Sequence, residues 1–454
     1  MTMPNKTLIS TLCSLALLTG GLAQAAVAPD QAARLKTDLT PMGAERAGNA
    51  DGSIPAWDGG YTQVPAGYKS GDKRADPFAG EKPLYSITAA NMGQYAEQLA
   101  EGTKVLLNKY PDYRLDVYPT HRSAAAPQWV YDNTFANATR AQVDVPTEKV
   151  SGTYGGIPFP IPQNGTEVLW NYRLSWQGGD TISAPFDTWL MTAGGKKVQA
   201  TRAKFSYQFP YYFKEGNLES FGGKYQWGKL YTELPSSKAG EGLMTHWDVD
   251  PSARAAWQYL VGQRRVRRAP NIAYDTPDFV TSGVGLFDEA FMIFGPTDRY
   301  DLKLVGKKEL LVPYNNNRAG LAKSDDLVQP RFLNPDLVRW EKHRVWVVEA
   351  TLKAGKRHVV PRRTYYVDED SWQVLLVDGY DAQGRLGRQM YSLTLLAPDM
   401  PALTAQVMWG SYNLDTGAYF LNSSSNDLNE QYHAIDRPSA TFFTPDAMAN
   451  SSIR

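Results

Sequence analysis

The sequence predicts an α+β protein, mainly antiparallel β, with a long irregular N-terminal segment ahead of one large sheet. Three observations carry this. Beyond Gln128 the hydropathy alternates with period two, as in Arg344-Val345-Trp346-Val347-Val348-Glu349-Ala350-Thr351-Leu352. The connections are short and turn-like, Asp368-Glu369-Asp370-Ser371 and Asp381-Ala382-Gln383-Gly384 among them. No internal repeat of fixed period and no long linker divides the strand-rich part. A sheet of that size either closes on itself or needs its concave face covered by helices.

In chain order, residues 1–25 are expected to be an export signal. Lys6 supplies the positive start, Leu8 to Leu22 the apolar run, and Ala23-Gln24-Ala25 the small-x-small cleavage site. Cys13, the single cysteine, lies inside that run behind Leu12, so no lipidation site is expected. Cleavage after Ala25 would give a periplasmic chain without disulfides, held together by packing alone. No later segment offers ~18 unbroken apolar residues, so no transmembrane span is expected beyond the signal.

Residues 26–110 form the lead segment, with a short helix over 28–37 and an amphipathic helix over 88–110. Met92, Tyr95, Leu99, Leu106 and Tyr110 share one face of the latter, although Gly93 and Gly102 weaken it. Residues 111–454 hold the strands: 184–193, 199–211, 243–249, 254–260, 264–268, 301–305, 309–314, 344–352, 359–367, 372–380, 386–396 and 403–412. Helical interruptions are expected at 165–175 and 286–292.

Composition narrows the function. The 454 residues carry 47 Lys+Arg and 47 Asp+Glu, so the basic surplus that nucleic-acid binding needs is missing. With 12 Trp, 26 Tyr and 16 Phe the chain is rich in side chains suited to half-buried sheets and amphiphile-lined grooves. Five histidines never fall at metal-ligand spacing, and His246-Trp247-Asp248-Val249-Asp250 reads as a solvated strand. There is no Gly-x-Ser-x-Gly elbow, P-loop or dinucleotide loop, so no cofactor and no catalytic residue is assigned. Ser70-Gly71-Asp72-Lys73 stands in a flexible loop without supporting motif.

Three groups remain as site candidates. Asn49, Asp51 and Asp58 approximate a calcium loop, but position 1 is Ala47 and position 12 an Asp, so a plain turn is the stronger reading. Arg264, Arg265, Arg267 and Arg268 line the return strand of a hairpin. They would dock an anionic head group or acidic partner, or else pair in a ladder with Asp275, Asp278 or Glu289. Trp170, Trp189, Trp257, Tyr259 and Trp346 are candidates for lining a ligand cavity, against a base rate that favours core packing.

Four blocks are distinctive: 39–49 with Pro55-Ala56-Trp57; Gly155-Gly156-Ile157-Pro158-Phe159-Pro160-Ile161-Pro162; Trp257-Gln258-Tyr259 with 264–271; and 301–309 with Val312-Pro313-Tyr314-Asn315-Asn316. They resemble a family of exported Gram-negative proteins known as a domain of unknown function. That family is distantly similar to the outer-membrane lipoprotein-sorting proteins, the periplasmic lipoprotein carrier and its receptor. The resemblance implies a curved, incomplete β-barrel with helices covering an apolar concave face, and association with outer-membrane proteins or exporters. It implies no catalytic residue. The expected function is binding or transfer of a lipid or other hydrophobic ligand. The alternatives are a hydrolase of envelope lipid or polymer and a structural module of a transport complex.

Overall fold

The computed structural model describes residues 26–269, 274–404 and 406–451. The expected signal segment, and Pro270 and Asn271 of the third block, lie outside the described residues.

Two antiparallel meanders make the main sheet. The first runs through Thr181–Met191, Lys197–Gln208, Lys224–Leu234, Gly242–Asp248, Ala255–Leu260 and Arg265–Arg268. The second runs through Trp340–Leu352, Arg362–Asp368, Val374–Tyr380, Leu386–Ser392, Trp409–Asn413 and Tyr419–Ser424. Their seam sets the last strand of the second, Tyr419–Ser424, against the first strand of the first. The strand order ends at Arg265–Arg268 on one side and at Tyr85–Ile87 on the other, so the sheet is not closed into a barrel. Pairing is antiparallel throughout except where Trp340 meets Val117 in parallel.

The alternation that predicted these strands has a physical basis in burial. Along Lys197–Gln208, Ala203, Phe205 and Tyr207 are buried while Lys204 between them is exposed. The expected strands 301–305 and 309–314 are one element, Tyr300–Pro313, paired with Trp340–Leu352 along its length. Gly306 divides it by a bulge, at φ +129°, a backbone shape an L side chain rarely takes. The largest apolar cluster joins side chains from Met42 in the lead segment to Tyr432 near the end.

The helices are few and short. Gly165–Arg173 starts where Asn164 Oδ1 accepts the Glu167 amide at 3.0 Å, and it is buried nearly all round. The helix expected over 88–110 is broken at Leu99–Ala100 into a 3₁₀ turn, Met92–Gln98, and the helix Glu101–Lys109. Gly102 is required there, because a Cβ would lie 2.5 Å from Asp378 Oδ1, the acceptor of its amide. Gln128–Ala138 was not expected to be helical; its mixed Trp, Val, Asn and Thr give almost no amphipathic stripe. No helix among the described residues is long and apolar enough to cross a membrane.

Candidate functional site

The segment 274–298 lies over strands of both meanders as a strap with an aromatic underside. Phe287, Phe291 and Phe294 meet Phe186, Tyr207, Leu230, Leu243 and Trp409 from the strands and enclose a crevice with them. Phe291 stacks edge-on to Tyr207 at 5.8 Å and reaches Trp409 at 5.7 Å, while Phe294 stands edge-on to Trp247 at 4.6 Å. The crevice is narrow: the centre of a water molecule fits over about 50 Å³ of it, in an atom-free space of about 520 Å³ that runs out to open solvent.

Burial of the aromatic rings favours the closed strap, and ion pairs at two consecutive residues in its interior fix it. Asp288 takes Arg363 at 2.7 and 3.1 Å and His358 at 3.0 Å; both Glu289 oxygens stand 2.7 Å from Arg388. Burial pushes the Asp288 carboxyl up, but Arg363 and His358 outweigh it and hold it well below the usual carboxylate range. Just after these anchors the backbone is strained. Phe291 and Met292 are consecutive residues at φ +51° and +73°, and such conformations cost of order 1–3 kcal/mol each for a side-chain-bearing residue. Asp278, which lines the crevice, accepts the Val280 amide at 3.0 Å, and burial raises its carboxyl to about 6.

The aromatic candidates named from the sequence stand elsewhere. Trp170 is buried in Gly165–Arg173, its Nε1 donating to the Glu148 carbonyl at 2.9 Å. Trp189 lies under Lys197, with the ammonium 4.0 Å from its ring. Trp346 stacks on Trp372 at 6.3 Å. Trp257 and Tyr259 belong to a second apolar cluster beneath the C-terminal segment, with Phe443 and Met448. None of the five lines the crevice. Phe287 and Phe291 fall inside the helical interruption expected at 286–292 and Phe294 just beyond it, and no local pattern marks them as facing a crevice.

The arginine run forms the free edge of the sheet. Arg264, Arg265, Arg267 and Arg268 are exposed, and among the described residues no carboxylate lies within ion-pair distance of them. The acids offered as ladder partners have other work: Asp275 accepts the Val359 amide, Asp278 turns inward and Glu289 binds Arg388. Asn49 and Asp51 bond within their own turn, Ile54 N to Asn49 at 2.9 Å and Ser53 N to Asp51 at 3.0 Å. Asp51 also meets Lys342 at 3.0 Å, and Asp58 is exposed in an open cleft of about 350 Å³ beside Arg122.

The model of a family described as "Protein of unknown function (DUF1329)" matches residues 86–449. The chain belongs to this family. It is 37% identical over 442 residues to the uncharacterized protein PA3922 of Pseudomonas aeruginosa, with 95% of each chain covered. Among solved structures, this DUF1329 chain is similar to a DUF1329 family protein from Desulfovibrio piger, at 14% identity and TM-score 0.40, over 63% of this chain and 100% of that one. A domain from Vibrio parahaemolyticus named for outer membrane lipoprotein sorting gives 14% identity and TM-score 0.43, over 63% and 98%. A LolA superfamily protein from Nitrosomonas europaea gives 10% and 0.34, over 63% and 100%. The family expected from the four sequence blocks is thus the one to which the chain belongs.

Proposed function

We propose that this protein is a non-enzymatic periplasmic carrier that binds a lipid or other hydrophobic guest between the strap 274–298 and the sheet. The observation that carries this reading is the aromatic underside of the strap, which fills a sheet-lined hollow with its own Phe287, Phe291 and Phe294. In the closed state the crevice is narrow, taking the centre of a water molecule over only about 50 Å³, so a guest enters by lifting the strap and replacing those rings. The strained Phe291–Met292 pair favours that exchange, since lifting releases it. Each methylene buried contributes about 0.8 kcal/mol, so a short acyl chain offsets both strap opening and association.

The rest of the reading follows. Residues 1–25 export the chain and are removed after Ala25, residues 26–110 pack on the body 111–454, and the arginine edge meets an anionic surface or an outer-membrane or exporter protein. A hydrolase is disfavoured because the consecutive carboxylates Asp368, Glu369 and Asp370 are 0%, 1% and 5% exposed and out of reach of a polymer.

The test is organic extraction of the purified protein followed by mass spectrometry, with titration by a fluorescent fatty-acid analogue. A bound amphiphile and saturable uptake are expected, with uptake faster in Asp288→Asn, which loosens the strap. An empty extract together with no uptake by either protein would end the carrier reading.

A further inference from the structure

The hairpin tip 368–371 carries three consecutive acids, all buried. Two are matched by cations. Arg122 holds Asp370 at 2.9 and 2.7 Å; Lys307 stands 2.8 Å and Arg344 3.4 Å from Glu369. Asp368 has no such partner: among the described residues no Lys or Arg nitrogen lies within ion-pair distance of it. Its Oδ2 accepts the Tyr314 hydroxyl at 2.9 Å, the Ser371 amide at 2.9 Å and the Ser371 hydroxyl at 2.5 Å. Its Oδ1 is equally buried and has no hydrogen-bond partner among the described residues. A bare carboxylate oxygen in a sealed interior is costly unless something positive meets it.

His343 supplies the neighbouring donor. It is 1% exposed, its ring is stacked on Tyr314 at 3.6 Å, and its Nε2 lies 3.0 Å from Glu341 Oε2. One donor atom from each of His343, Asp368 and Asp370 lies within 4.8 Å of the other two. Donors bound at about 2.1 Å to one ion stand up to ~4.2 Å apart, so a small side-chain rotation closes the set. An imidazole with two carboxylates suits a divalent transition metal, and a carboxylate on the far ring nitrogen is the contact that orients a ligating histidine.

We propose that His343, Asp368 and Asp370 form a binding site for a divalent cation, with zinc the best fit. The ion meets the unpartnered Asp368 oxygen and adds positive charge where Arg122 is shared with Glu369 at 3.7 Å. It is structural, because the ligands are sealed from solvent. It ties the hairpin tip to Trp340–Leu352 directly, and through Asp370 and Arg122 to the carbonyls of Glu45 and Arg46 in the lead segment. The inference is independent of the carrier reading, since the site lies outside the crevice lining.

The test uses the purified full-length protein, stripped with a chelator, exposed to zinc chloride, desalted and assayed for metal content and thermal midpoint. Wild type is expected to retain about one zinc per chain and to melt several degrees higher than the stripped protein. Asp368→Asn removes the charge without adding bulk, and His343→Gln removes the nitrogen ligand; either folded variant is expected to lose the zinc and the shift. His433→Gln, at a partly buried histidine that is no member of the set, is expected to keep both. A wild type that retains no zinc overturns the proposal, a proton on Asp368 then filling the same role. Undiminished zinc in both Asp368→Asn and His343→Gln overturns it equally.

Discussion

Lys229 Nζ donates to the carbonyl oxygen of Phe442 at 3.0 Å, with the Phe442 ring 4.2 Å away. Among the described residues no carboxylate pairs with this lysine, although it is only 2% exposed. Burial lowers its ammonium from 10.5 to about 8. The unfolded chain therefore binds the proton more tightly than the folded one between pH 8 and 10.5, and stability rises across that window through this group. Lys229→Met is expected to remove that rise, a difference of about 1–3 kcal/mol between the two proteins' pH curves in urea titrations. Parallel curves for the two would refute it.

Asp378 is the acidic counterpart. Its oxygens accept the Gly102 amide at 3.1 Å, the Tyr366 hydroxyl at 3.0 Å and Gln389 Nε2 at 3.3 Å, yet burial dominates and raises the carboxyl to about 6. A raised acid favours folding while protonated, so its contribution is complete below pH 3.8 and is lost as pH climbs through 6. Asp378→Asn keeps the acceptor toward Gly102 and removes the charge. It is expected to be more stable than wild type at pH 7.5 by about 1–3 kcal/mol, the gap closing by pH 4. Thermal melts at the two pH values decide it.

These two residues also show where the sequence was and was not legible. Trp340–Leu352 is legible through the alternation that brings in Glu349 and Thr351 toward its outer end, and Arg362–Asp368 through the β-branched and aromatic run Thr364-Tyr365-Tyr366-Val367, although both strands are buried at nearly every position. Lys224–Leu234 is not, because Lys229 and Tyr231 lie under the C-terminal segment while Gly228 and Leu230 line the crevice, so neither face alternates toward solvent. Trp257 and Tyr259 were correctly noticed as aromatic, yet whether they face a cavity or a packed segment depends on Phe443 and Met448, nearly two hundred residues away. The strap's anchors, Asp288 to Arg363 and Glu289 to Arg388, are contacts of the same kind. Local patterning carries strand periodicity; it carries no record of which distant cation meets which acid.

The arginine edge gives a prediction that separates surface function from fold. Because Arg265, Arg267 and Arg268 are exposed and have no acid partner among the described residues, replacing all three with Gln should change stability by under ~0.5 kcal/mol. Cosedimentation with anionic vesicles should weaken by about 1 kcal/mol per arginine and more steeply at low salt. Equal cosedimentation of both proteins would leave the edge without a membrane role.

Asp288 carries the sharpest consequence, since it serves fold and strap together. Arg363 is 3% exposed, so Asp288→Asn leaves a buried guanidinium without its bidentate anionic acceptor, and among the described residues the one carboxylate left to it is Glu289 at 3.9 Å. Breaking one side of a buried pair costs about 3–5 kcal/mol, against near-neutrality when both partners are replaced by apolar residues. The single variant should therefore unfold at clearly lower urea, and Asp288→Leu with Arg363→Met should recover much of the loss. Acid tells the same story. With its carboxyl held below the usual range, Asp288 contributes fully above pH 4 and loses that contribution as pH falls, so wild type and variant should converge in acid. If the pair also pins the strap, amide exchange across 287–294 should quicken in the single variant by more than the global loss explains. Exchange that tracks global unfolding alone would show that the pair holds the fold and nothing narrower.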